Sequence, residues 1–253
     1  MTSIKKNFLT KIKFQQIRKL FFILLSFDIK LIYSLLNNIP AGTEHLKFFS
    51  NIKKLNTIVD IGCHKGQFAL ISKFIYKKAK IFSFDPLKSS QKKYKSILKK
   101  KDGYHFFNNA IGNKDVIAKI NISKKSDSSS LLEITDKQTS IFKNTEKIKE
   151  EKIYIKKLNS CLKKKNLQKP CLLKIDVQGY ELEVLKGCQE LLNCFDFIYI
   201  ECSFVELYKK QPLYNEVNTW LKKKNFKYVK KFNTSFDNNN KIIQADFFFK
   251  KLS

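Results

Sequence analysis

The stretch Thr57 to Phe68, TIVDIGCHKGQF, decides how the rest of the chain is read. A short apolar run ends at Asp60 and is followed by Gly62 and Gly66, so a buried strand passes through a tight turn into a helix. That succession builds the ligand crevice of an open α/β sheet. The spacing Asp60-x-Gly62-x-x-x-Gly66 departs from the G-x-G-x-x-G of dinucleotide sites, which argues against a pyrophosphate guest. It suits S-adenosyl-L-methionine, which has no phosphates. That ligand offers an ammonium to Asp60 and a carboxylate to the free N–H groups of a helix start, around Gly62 and Gly66.

Working outward, a helical stretch is expected from Gln67 to Lys78, then a second apolar run, Lys80 to Phe84, that ends in Asp85 and Pro86. A carboxylate at this second strand end can accept both hydroxyl hydrogen bonds of a ribose. A third strand, Tyr104 to Asn108, leads into Asn109 and Ala110, which are assigned to the adenine edge. The fourth, Cys171 to Ile175, ends in Asp176, and the fifth, Phe197 to Ile200, ends in Glu201. Parallel sheets bind ligands at the carboxyl ends of their strands, so Asp60, Asp85, Asp176 and Glu201 are expected to line one crevice. Lys174 is expected to point to the opposite side of its strand end and is left out of the site. Val116 to Ile122 alternates like a strand, whereas the charged Lys143 to Lys152 reads as a solvated helix or lid edge. Lys227 to Phe232 and Ile242 to Phe249 would close the sheet as an antiparallel hairpin.

The blocks VDIGCHKGQF, FDP, NNAIGN, SDSSSLL, LKIDVQGYELEVLKG and YIECSFVELY occur in an order that resembles the FkbM-type S-adenosylmethionine-dependent methyltransferases. The resemblance runs from about residue 55 to 250, and LKIDVQGYELEVLKG is its most specific part. It implies a Rossmann-like class I methyltransferase sheet, mostly parallel. It also implies O-methylation of a hydroxyl on a sugar or glycan-like acceptor. Two departures stand out: Cys63-His64 where the family usually has Ala-Asn, and Asp85 where it usually has Glu. The resemblance places the serine loop beside cofactor and acceptor, which makes Ser129 and Ser130 binding candidates. His64, in the cofactor turn, is a candidate acceptor contact.

Sulfonium is already an activated methyl donor, so the protein's part is to align an acceptor oxygen and to take its proton. Asp176 is the first candidate for that base and Glu201 the second. Ser203, Glu206 and Tyr208, on the segment after Glu201, are candidates to hold a polyhydroxylated substrate. No metal is required, since two carboxylates without a third ligand make a weak cation site.

The chain of 253 residues carries a formal charge of +28, which raises an RNA-binding alternative. Nearly all of that charge is lysine, with Arg18 the only arginine, and it is spread over many segments. Arginine is the side chain suited to bidentate base and phosphate contacts, so nucleic acid is the weaker reading. A polyanionic acceptor would still gain from the field by steering. A non-catalytic binding protein on the same scaffold is the other alternative. The six cysteines show no C-x-x-C pair, which points to reduced thiols and a cytoplasmic setting. His45 and His105 read as ordinary surface or strand residues.

Residues 1–42 form a separate segment ahead of a domain at 43–253, with the break at Pro40-Ala41-Gly42. Phe8, Leu9, Ile12, Ile17, Leu20, Phe21, Leu24 and Leu25 fit one helical stripe, with the cations mostly off it. Asp28 and Lys30 interrupt the apolar run well short of the ~20 residues needed to span a bilayer. Such a helix packs on the domain, packs against a second copy, or lies at the inner face of an anionic membrane.

Overall fold

The computed structural model describes residues 16–237 and 239–252. Residues 16–25 are helical (α1), and Asp28 caps α2 (Ile29–Leu36) by accepting a hydrogen bond from the Leu31 N–H at 3.0 Å. The sequence-derived stripe continues in α1, while Phe8, Leu9 and Ile12 lie outside the described residues. Ile23 and Leu31 are buried in one core with Ile39, Phe48, Ile58 and Phe68, so this segment packs on the domain. A short α3 (Leu46–Phe49) completes the entry.

The central sheet has seven strands, of which only the last in chain order runs against the rest. β1 (Thr57–Ile61), β2 (Lys80–Phe84) and β3 (Tyr104–Phe107) run to one edge. On the other side of β1 lie β7 (Cys171–Ile175) and β8 (Phe197–Ser203), then the antiparallel pair β9 (Phe226–Phe236) and β10 (Ile242–Lys251) in the order β8-β10-β9. The expected closing hairpin is therefore present, with β9 at the free edge. Every residue of β1 and β7 is buried, as a strand covered on both faces requires. Val59, Ile61, Leu173 and Ile175 fill one face, and Ile58 and Leu172 the other. Full burial stabilises by roughly 1.5–3 kcal/mol for each such side chain. The order in which strands are added reverses between β1 and β7, which run parallel, and this is the switch point at which open sheets bind ligands.

The connecting helices cover the sheet: α4 (Gln67–Ile75), α5 (Lys88–Ile97), α7 (Leu158–Cys161), α8 (Glu181–Gly187) and α9 (Tyr214–Lys223), with a short α6 (Asp136–Ile141) in the crossover that leads to β7. α4 ends at Ile75, short of the expected Lys78, because Tyr76 leaves helical geometry and its hydroxyl donates to the Ile52 carbonyl at 2.7 Å.

A second, three-stranded sheet has the order β4-β6-β5, from β4 (Ala110–Ile111), β5 (Val116–Ser123) and β6 (Lys147–Lys156). This corrects the expected helix or lid edge at Lys143–Lys152. Residues 147–152 pair antiparallel with β5, and Ile153 and Ile155 bury against Ile120, Ile122 and Leu87. The charges here match across strands, as in Lys119 with Glu150 at 3.1 Å, and so support a ladder.

Candidate active site

A cleft opens at the switch point, where open sheets of this kind bind ligands. Gly62, His64, Asp85, Ala110, Ser129, Ser130 and Asp176 line it, all of them residues that the sequence marks as candidates. Leu87, Ile111 and Ile120 supply an apolar wall.

The turn after β1 is held by close backbone approach. Gly62 has φ +77°, and a Cβ there would stand 1.7 Å from the Asp176 carbonyl oxygen, so only glycine fits. Gly66 (φ +95°) starts α4 but does not line the cleft; it packs on Leu98 and Tyr94. His64 is also left-handed, φ +48°. Its N–H donates to Asp85 Oδ2 at 3.0 Å, and its Nε2 meets Ser126 Oγ at 2.9 Å. Burial pulls the His64 imidazole down to about 4, so it stays neutral near pH 7. Its buried Nδ1 has no hydrogen-bond partner. Asp85 also accepts from the Leu87 N–H at 2.9 Å, and burial pushes its carboxyl up to about 7.

The structure moves Asp60 out of the proposed ligand contact. It is fully buried behind the turn, 3.2 Å from Lys174 Nζ, and does not line the cleft. The reason is the register of β1 with β7, in which Asp60 and Lys174 are direct partners on one face. Lys174 is buried with it behind the turn and does not line the cleft, yet it reaches Asp176 rather than pointing away from it. Its ammonium lies 3.6 Å from Asp176 Oδ2 and donates to the Gly62 carbonyl at 3.0 Å. The adjacent carboxylates hold the Lys174 ammonium above its ordinary range, against burial. Asn109 turns away as well: its amide donates to the Ala110 carbonyl at 3.0 Å and faces Cys161, outside the cleft.

Beyond Asp176 the site becomes a carboxylate network. The Gln178 amide donates to Asp176 Oδ1 at 2.8 Å and to Glu201 Oε2 at 3.0 Å. Its own oxygen accepts from the Tyr208 hydroxyl at 2.8 Å, which fixes which end of the amide faces the carboxylates. Gln178 pays for this position with φ +58°, uncommon for its type and often found at functional sites. Gln244 donates to Glu201 Oε1 at 3.0 Å. Burial, then the neighbouring Asp176 and Asp246, raise the Glu201 carboxyl well above the ordinary range. Asp246 sits opposite Glu201 in β10 and accepts from the Tyr199 hydroxyl at 2.7 Å and the Asn233 amide at 2.8 Å. His45 Nδ1 reaches the same tyrosine at 3.1 Å. Asn233 gets there through a bulge: one extra β9 residue lies between the pairs Ser235–Gln244 and Phe232–Asp246, and Asn233 takes φ +46°.

Three remaining candidates are placed elsewhere. Tyr208 is buried and acts on Gln178, so it is closed to a substrate. Ser203 is buried in β8 outside the cleft. Glu206 accepts from the Lys210 N–H at 2.6 Å, in a separate surface groove beside Tyr180 and Glu183. Ser130 donates to the Gln178 carbonyl at 2.6 Å, and Ser129 accepts from the Ser123 N–H at 3.1 Å, so both serines are tied into the loop they line. Among the described residues no group of three or more His, Cys, Asp or Glu side chains is arranged to hold a metal ion. Sequence reasoning missed Lys174, Gln178, His45, Tyr199 and Asp246; only Lys174 and Gln178, within LKIDVQGYELEVLKG, carried a local signal.

A parallel sheet with its crevice at the β1/β7 switch point and an antiparallel closing pair is the architecture of Rossmann-like class I methyltransferases. The Methyltransferase FkbM domain matches residues 60–228, and the chain belongs to this family, whose cofactor is S-adenosylmethionine. No curated protein matches the chain. Among solved structures, it is similar to a Clostridium thermocellum protein provisionally described as an rRNA-methylase, with TM-score 0.50 and 11% identity over 84% of this chain and 95% of that one. An rRNA methylase from Streptococcus thermophilus gives TM-score 0.45 and 10% identity, over 82% and 93%. Magnesium protoporphyrin IX methyltransferase from Synechocystis PCC 6803, with bound SAM, gives TM-score 0.46 and 9% identity, over 83% and 67%. At these identities the likeness is one of fold.

Proposed function

We propose that the protein transfers the methyl group of S-adenosylmethionine to a hydroxyl of a sugar or glycan-like acceptor, with Asp176 as the base. The observation that carries this reading is the position of Asp176. It lines the cleft with 37% of its side chain exposed, and Gln178 holds it beside Glu201. In this reading Asp85 receives the ribose hydroxyls, Leu87, Ile111, Ile120 and Ala110 cover the adenine, and the Gly62–His64 backbone meets the methionyl end. The bound cofactor supplies a methyl carbon already activated by its sulfonium.

The chain's own residues then have three tasks. Asp176 takes the proton of the acceptor oxygen as that oxygen attacks, a role generally worth roughly 10²–10⁴ in rate. Gln178 fixes the direction of the Asp176 carboxylate. Glu201, its carboxyl raised by burial, accepts from the Gln178 and Gln244 amides outside the cleft lining and so serves to hold Gln178 in place.

The test is a radiolabelled methyl-transfer screen over neutral glycans, anionic glycans and structured RNA, run with Asp176→Asn alongside. A glycan product, with kcat about 10²–10⁴ lower in the variant and cofactor affinity within a few-fold, supports the reading. Methylation of RNA in preference to every glycan, or full activity in Asp176→Asn, would overturn it.

A further inference from the structure

The N-terminal helices have two unlike faces. Ile23 and Leu31 are buried in the domain core, while Ile17, Phe21, Leu25, Phe27, Ile29 and Leu36 stand in solvent. Phe27 and Ile29 are 83% and 84% exposed, values that no packing role among the described residues explains. Phe27 also takes φ +50°, a left-handed position where Gly or Asn is the economical choice, yet a bare aromatic ring occupies it. Contiguous exposed apolar surface of this kind marks a contact surface.

The rim of the face is cationic. Lys30 Nζ binds Asp102 Oδ2 at 2.5 Å, which brings the exposed run Lys99, Lys100 and Lys101 beside α2. The Phe22 ring meets Phe74 at 5.9 Å, which brings exposed Lys77 and Lys78 beside α1. The sequence ahead of α1 adds Lys5, Lys6, Lys11 and Lys13. We propose that this face docks on the anionic surface of a lipid bilayer, its apolar side chains reaching the acyl boundary and its lysines meeting the head-group phosphates. A second copy of the chain would set like charges against each other across the same face, so lipid is the matching partner. No described helix is long and apolar enough to cross a membrane, which makes the attachment interfacial.

The experiment is sedimentation of the full chain with vesicles of equimolar phosphatidylcholine and phosphatidylglycerol, and with vesicles of phosphatidylcholine alone. The protein pellets with the anionic vesicles, and its partition falls by about tenfold or more on neutral vesicles and in high salt. Phe21→Ser/Phe27→Ser/Ile29→Ser and, separately, Lys99→Glu/Lys100→Glu/Lys101→Glu each lower partition by about tenfold, with melting temperature unchanged because every altered side chain is exposed. Three outcomes overturn the proposal: no pelleting with either vesicle, equal pelleting with both, or a wild-type dimer in light scattering that the serine variant renders monomeric. None of these readouts depends on methyl transfer, so the docking and the chemistry stand or fall separately.

Discussion

The two halves of the crevice are made of different materials. On the β1–β2 side the cleft is shaped by main chain, with the Gly62 turn, the His64 N–H and a single buried carboxyl, Asp85, against an apolar wall. On the β7–β10 side it is backed by side chains: Lys174 joins Asp176 to the buried Asp60, Gln178 ties Asp176 to Glu201, and Asp246 stands opposite Glu201. The first half suits a fixed, half-apolar ligand. The second can hold and redistribute protons, and it concentrates negative charge that one ammonium must offset.

The strongest break of this contrast is Lys174→Met. Removing the cation while keeping the volume strands Asp60 without its partner in a fully buried position. A loss of about 3–5 kcal/mol in unfolding free energy follows, measured by urea titration. Loss of less than about 1 kcal/mol would show that the carboxyls already exist largely protonated and that Lys174 offsets little.

A smaller effect comes from Gln178→Ala, which releases Asp176 and Glu201 from their shared amide. About 1–2 kcal/mol is expected, read as a roughly tenfold lower kcat with cofactor affinity nearly constant. Equal losses in cofactor binding would mean that the two halves are mechanically one.

The smallest and most specific test uses pH. Asp85 holds its proton up to about 7, and the ionised form accepts two ribose hydroxyls best, so cofactor affinity weakens by at most tenfold per pH unit below that point. Calorimetric titration from pH 5.5 to pH 8 (about 5.5 to 8) should show this slope, and Asp85→Asn should flatten it. Folding stability in the free protein runs the other way. Between the ordinary carboxyl value and about 7 the native state holds a proton the unfolded chain has released, so Asp85 makes stability fall as pH rises through that window.

This contrast also sets what the sequence could disclose. TIVDIGCHKGQF and LKIDVQGYELEVLKG were readable because strand, turn and helix start follow one another locally, and a glycine at a forced turn leaves its mark in the letters. The network was not readable in the same way. Asp246 and His45 meet at Tyr199 only because β10 returns beside β8 and the segment before β1 folds over it. The misplacement of Asp60 has the same origin: the motif located the residue, but its burial came from the register with Lys174. In β6, a charged stretch reads as a solvated helix or lid edge because the partner strand that makes it a ladder lies about 30 residues earlier.

The free edge of the sheet gives the abundant lysine a further meaning. Among the described residues β9 pairs only with β10, so its outer row of N–H and C=O groups is a template onto which another extended chain could add. Along that edge stand Lys227, Lys230 and Lys231, and the bulge at Asn233 bends the strand just beyond them. Each arriving strand would have to bury these charges and follow the bend. The composition that looked like a nucleic-acid signal therefore also serves as protection against self-association through strand addition, at the place where an α/β sheet ending in a hairpin is most open to it.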